Sequence, residues 1–176
     1  MRTIPVPHAA SAAVAPASLL RARLPGGSHG EPLPEQLRWY LEHLSGYDLS
    51  DVRVHRASAW PARVGARAFV LGAEIHLAPE AEDALEHEAW HVVQQKQGRV
   101  RATGTVSFED ARLGTAGMND EETLEREAEA MGRMARRLMM CGSHVRPRET
   151  LRTAVITRPV VQRALGRQSH PPRPFW

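Results

Sequence analysis

Leu33, Leu37, Leu41 and Leu44 recur at the spacing of one helix face, Pro34 suits a first turn, and Gly46 follows the end. The pattern predicts an amphipathic helix over 34–45. Val52-Arg53-Val54-His55 alternates at period two and reads as a short strand. Ala57–Gly65, with Pro61 near its start, suggests a helical turn or two. Ala68–Leu71 and Glu74–Leu77 are apolar runs flanking Gly72-Ala73, a β-hairpin signature that Pro79 closes. Ala81 to Gln97 then runs without a breaker to Gly98, which predicts a second long helix. Residues 98–118 carry Gly98, Gly104, Gly114 and Gly117 and read as a long loop, a feature often functional in a compact domain. Asn119-x-x-Glu122 has capping-box form, so the last helix is expected from Asn119 or Asp120 to about Met140, before Gly142. Its buried stripe is Leu124, Ala128, Met131, Ala135 and Leu138.

The two ends have a different texture. Residues 1–30 are rich in Ala, Pro, Ser and Gly, and prolines recur through 143–176, ending in His170-Pro171-Pro172-Arg173-Pro174. Such composition buries little apolar area. The expected organisation is a disordered arm over 1–30, a folded body over 31–142, and a basic tail over 143–176 with a short extended piece at Ala154–Val161. Pro5 and Pro7 interrupt the apolar run that a secretory signal needs, so no clear signal peptide is read. No stretch approaches the roughly 18 apolar residues of a membrane span.

Charge sharpens this division. The formal net charge is +3 with a pI near 9.7, which on its own invites a nucleic-acid reading. By segment, 1–30 carries +3, 141–176 carries +6, and 31–140 carries −6. The basic excess therefore sits in the ends, where the arginines are widely spaced and only Phe175 and Trp176 offer stacking rings. A solubilising or docking tail fits better, and nucleic acid is not the expected partner. Cys141 is the single cysteine, so no intrachain disulfide supports the fold.

One motif carries chemistry: His87-Glu88-Ala89-Trp90-His91, inside the 81–97 helix. Four residues is just over one turn, so both imidazoles leave the same face and can grip one ion. Zinc accepts two such nitrogens with a third protein ligand and a place for water. Glu88, one residue from His87, is the expected general base. With nine His and fifteen Glu in 176 residues, chance alone yields such a pentapeptide about 4% of the time. Context must decide, and the last helix supplies it in Leu124-Glu125-Arg126-Glu127-Ala128-Glu129. Glu125 borders the apolar stripe and is the candidate third ligand. Glu129, one turn on, is the candidate to accept a hydrogen bond from a ligating histidine. Glu127 is expected on a solvated acidic face.

The ordered segments Leu33-Pro34, Gly46–His55, Gly65–Phe69, Ile75, His87–Gln95 (HEAWHVVQQ) and Leu124–Glu129 (LEREAE) resemble the eCIS core domain family, which is associated with extracellular contractile injection systems. The resemblance covers about 30–140. Members look like minimal gluzincin metallopeptidases, so it implies a bacterial protein with an α+β, zincin-like fold. A small sheet or hairpin would pack on the HExxH helix and a second, Glu-bearing helix. It also implies zinc as the metal, His87, His91 and Glu125 as its ligands, and Glu88 as the general base. Glu129 stands where the family usually has Asp, and Ala89 and Trp90 stand where a Leu and a small residue are more typical. Glu74–Leu77 is the candidate edge strand for an extended peptide substrate. His55 and His76, in strand-like segments, read as structural histidines.

The expected activity is metal-assisted peptide hydrolysis. Its partners are a peptide or protein substrate and components of an injection particle. The expected location is the bacterial cytoplasm, with export as cargo of that particle. The rival reading is a non-catalytic module that recruits or loads cargo, with a structural or vestigial zinc site.

Overall fold

A computed structural model describes residues 30–107, 115–142, 150–156 and 159–164. The elements in chain order are β1 (Glu31–Pro32), α1 (Glu35–Ser45), β2 (Arg53–His55), α2 (Trp60–Arg63), β3 (Ala68–Leu71), β4 (Glu74–Leu77), a 3-10 turn (Glu82–Ala84), α3 (Leu85–Lys96), β5 (Gly104–Ser107), β6 (Thr115–Asn119), α4 (Glu122–Met140) and β7 (Val161–Ala164). The described strands form one mixed sheet of seven in the order β1-β2-β4-β3-β7-β6-β5. No described helix is long and apolar enough to cross a membrane.

Strand alternation sends each strand's residues to two different cores. Val54, Ala68, Val70, Ile75 and Leu77 face α1, α3 and α4, where they meet Leu37, Leu41, Ala89, Val92, Val93, Ala128 and Ala135. Phe69, Leu71, Ala116 and Val161 face the other way and pack with Trp60 and Val64 around α2. The motif helix α3 is thus sandwiched between the sheet and α4, and from Glu88 to Lys96 every residue is buried. Gly72 takes a φ of +66° in the tight β3–β4 turn, a conformation open to glycine at little cost.

Two corrections concern the sheet. The 98–118 stretch, expected as a loop, contains β5 and most of β6, paired antiparallel from Gly104↔Met118 to Ser107↔Thr115. Gly, Thr and Ser leave these strands almost no apolar alternation, so pairing rather than pattern defines them. The stretch expected as a tail supplies β7, which runs antiparallel to β3 and parallel to β6. Val160, Val161 and Gln162 are all buried there. The 150–156 piece is also tied down: Arg152 N–H donates to Gly46 O at 2.7 Å, and Asp48 N–H donates to Arg152 O at 3.0 Å. Lys96, the chain's one lysine, is buried and donates to Ala154 O at 3.2 Å while pairing with Asp51. The remainder of the expected tail, and the 1–30 arm up to residue 29, lie outside the described residues.

The hairpin appears where it was expected, but β4 is not an edge. It pairs with β2 on one side and β3 on the other, so its ladder hydrogen bonds are already engaged and an added peptide strand has no place on it. Helix α4 begins at Glu122, after the expected cap. Asn119 belongs to β6, where its Nδ2 donates to Arg101 O at 2.6 Å and its Oδ1 accepts from Glu121 N–H at 3.2 Å. Those bonds close the strand-to-helix turn and leave Asn119 outside the helix.

Candidate metal centre

His87 and His91 leave the α4-facing side of α3, one turn apart, with their rings edge to face at 4.6 Å. Their Nε2 atoms are 2.9 Å apart. Helix α4 brings Glu125 to the same point: Oε2 lies 3.3 Å from His87 Nε2, and Oε1 lies 3.1 Å from His91 Nε2. One donor atom from each of the three residues falls within 4.8 Å of the others, a group able to hold a metal ion. His91 is fully buried, whereas His87 and Glu125 keep 16% and 30% of their side-chain surface exposed, so the cluster opens to solvent along α4.

The close approach of the two helices has a local cause. Gly132, two turns beyond Glu125, faces the backbone of the motif helix, and a Cβ there would meet His87 N at 3.0 Å and Glu86 C at 3.2 Å. Only the missing side chain lets α4 lie this close.

The donor set suits a divalent cation of intermediate softness: two imidazole nitrogens and one carboxylate oxygen. Burial alone would raise the Glu125 carboxyl, but the His87 and His91 imidazoles beside it outweigh burial through hydrogen bonding and charge and hold it at about 2. Glu125 is therefore an anion wherever the imidazoles are free to ligate. Glu88 lies in the same helix, fully buried. Glu129 Oε2 stands 3.7 Å from His87 Nδ1, and its other oxygen pairs with Arg133.

Three glutamine and glutamate positions around the cluster carry no expected site role from the sequence. Gln94 Oε1 lies 2.8 Å from His91 Nδ1, and Gln162 Nε2, from β7, lies 3.0 Å from the same nitrogen. Glu127, expected on a solvated face, instead bridges the helices. It accepts from Arg99 at 2.8 and 2.6 Å and from Trp90 Nε1 at 3.2 Å. The Arg99 hydrogen bond is the main reason its carboxyl lies below the ordinary range, against the opposing effect of burial. A HExxH-type repeat pointed to α3, but no sequence signal distinguished Glu127 from its neighbours in the acidic run.

His55 and His76 lie on the sheet face away from α3, with Phe69, and take no part in the cluster. Their rings stack at 4.4 Å, His55 Nε2 meets Glu74 Oε2 at 2.7 Å, and His76 Nδ1 meets Ser58 Oγ at 3.2 Å. Burial pushes the His76 pKa down, the neighbouring His55 adds to this, Glu74 opposes it, and the result is about 3 against an ordinary 6.5. The unfolded chain takes up this proton below about pH 6.5 and the folded chain does not. The stabilisation is thus complete above that pH and drains away as pH falls toward 3, with about 1.4 kcal/mol gone at pH 5.5. Urea denaturation at pH 7.5 and 5.5 is expected to show wild type losing roughly 1 kcal/mol more than His76→Phe. An identical pH response in the two proteins would refute the assignment.

Fold and cluster together define a mixed α/β domain with a two-histidine, one-glutamate group able to hold a metal ion between two packed helices. Residues 32–99 match the family model of the eCIS core domain, which bears out over those residues the resemblance drawn from the ordered motifs. The match spans α1 through α3 and so takes in His87, Glu88 and His91, while Glu125 and Glu129 lie beyond it. No curated protein and no solved structure matches the chain significantly.

Proposed function

We propose that the cluster is the zinc centre of a metallopeptidase domain associated with a contractile injection system, acting on a peptide or protein substrate. The observation that carries this reading is the convergence of His87, His91 and Glu125 beside a motif helix that also bears a buried glutamate, Glu88. An HExxH helix facing a Glu-bearing helix under a sheet is the arrangement expected of a zincin-like fold. Zinc, when bound, supplies the Lewis acidity that peptide hydrolysis requires. His87, His91 and Glu125 would hold it, and the 3.7 Å separation of Glu129 from His87 Nδ1 supports a role for Glu129 in orienting that ring. Glu88 is the general base: its carboxylate takes a proton from the attacking water and returns it to the departing amine. The family match supports carriage of the domain as cargo of the particle.

A second reading draws on the interior position of β4. Without that strand as a substrate edge, the domain would serve as a recruitment or loading module with a structural metal.

The test is zinc stoichiometry on the purified protein together with cleavage of an unstructured polypeptide such as casein. One zinc per chain and measurable cleavage are expected. Glu88→Gln should keep the zinc and lose about 10²–10⁴-fold in rate. Full zinc with no cleavage of any polypeptide favours the loading module, and equal rates for wild type and Glu88→Gln overturn the assigned base.

A further inference from the structure

We infer that Gln94 and Gln162 are positioning residues that hold a proton on His91 Nδ1 and so present Nε2 to the centre of the cluster. The inference rests on the metal reading above and extends the site to a strand, β7, outside the residues that match the family.

Backbone groups fix which amide atoms face His91. Gln94 Nε2 donates to Leu124 O at 2.9 Å, in the turn that opens α4. The carbonyl oxygen can only accept, so the amide of Gln94 has one orientation and its Oε1 must be the atom facing His91. On the other side, Gln95 is clamped to Val160, accepting from its N–H at 3.3 Å and donating to its carbonyl at 2.9 Å. That leaves Gln95 Nε2 to donate to Gln162 Oε1 at 3.2 Å, so the Gln162 amide is also fixed, with Nε2 toward α3. Gln162 Nε2 donates to Gln94 Oε1 at 3.3 Å.

His91 Nδ1 therefore meets one acceptor, Gln94 Oε1, and one donor, Gln162 Nε2. A lone pair on Nδ1 would face the Gln94 oxygen at 2.8 Å with no proton between them. A proton on Nδ1 gives a short, well-formed bond, and Gln94 Oε1 has a second lone pair for the Gln162 N–H. The protonated Nδ1 is the arrangement that satisfies all three groups, each of which is fully buried. With Nδ1 turned to the amides, Nε2 is the nitrogen at the cluster, 2.9 Å from His87 Nε2 and 3.1 Å from Glu125 Oε1, where a metal would replace any proton shared with the carboxylate. Orienting a ligating histidine through its other nitrogen is a general device of metal sites. Here two glutamine amides do this for His91, and one of them is held by a strand from near the end of the chain.

The experiment uses the full-length protein labelled with ¹⁵N-histidine and reads the His91 ring nitrogens by long-range ¹H–¹⁵N correlation at pH 8, without metal. Zinc affinity is measured separately by chelator competition. Wild type should show a protonated Nδ1. Gln94→Leu should mix the tautomers and weaken zinc 10–100-fold, and Gln162→Leu should weaken it less. Gln94→Glu keeps an acceptor on Nδ1 while losing the bond to Leu124 O, so in the folded protein it should restore the proton on Nδ1 and more of the affinity than Gln94→Leu retains, which a purely structural role would not predict. A wild-type His91 with no proton on Nδ1 overturns the inference. So do Gln94→Leu and Gln162→Leu proteins that fold and bind zinc as wild type does. A protonated Nδ1 in a wild-type protein that takes up no zinc would sink the metal reading and support the tautomer assignment.

Discussion

Glu125→Ala is expected to strip zinc from the folded protein. Glu125 supplies the one anionic donor of the cluster, and the residues left behind, His87 and His91, offer two neutral nitrogens from a single helix. The loss should exceed the 10–100-fold that follows removal of an outer, supporting residue. The fold should survive the change. Glu125 keeps 30% of its side-chain surface exposed, while α4 is anchored by Leu124, Ala128, Gly132 and Ala135, none of which the substitution touches. Its carboxylate is held at about 2 by the neighbouring imidazoles, so its removal also ends any charge attraction that those rings feel when protonated. Elemental analysis after dialysis, with circular dichroism as the control for folding, decides the matter. A Glu125→Ala protein that still carries one zinc with unchanged affinity would place the metal elsewhere.

The second large effect concerns the spacing of the two helices. At an ordinary exposed helix position, replacing Gly by Ala stabilises by about 0.5–1 kcal/mol through backbone entropy. At Gly132 the sign should reverse. The added Cβ would meet His87 N at 3.0 Å, His87 Cα at 3.2 Å and Glu86 C at 3.2 Å, all backbone atoms of a helix pinned between a sheet and α4. None of them can swing aside as a flexible side chain could, so α4 itself must move. Overpacking of this kind costs about 1–3 kcal/mol, enough to outweigh the propensity gain. Gly132→Val adds two further methyl groups and a poorer helix former, and should cost more still. The displaced α4 carries Glu125 away from the imidazoles, so zinc affinity should fall in the same order, Gly > Ala > Val. Chemical denaturation and zinc competition on the three proteins test this together. Stabilisation by Gly132→Ala with undiminished zinc binding would show that the contact is looser than the geometry implies.

Much of the site was legible because its central feature is local. His87 and His91 are four residues apart, and any helix through 81–97 puts them on one face. The leucine spacing of α1 and the Gly72 turn of the β3–β4 hairpin are likewise decided within a dozen residues. The apolar stripe of α4 also marked which carboxylate, Glu125, borders the buried side.

What the sequence could not decide depends on partners distant along the chain. Strands β5 and β6 are built mostly of Gly, Thr, Ser and Ala and have no pattern of their own. They become strands because β7 offers an edge to β6, and β7 is a strand because β3 offers it another. Glu127 looked like one more exposed acid until Arg99 and Trp90 were brought against it. Gln162 acquires its place only when β7 enters the sheet behind α3. Short-range spacing determined that two histidines could share an ion. Tertiary packing decided how close α4 comes, through the bare backbone of Gly132, and which amides face His91, because both facts depend on contacts between segments that no local pattern connects.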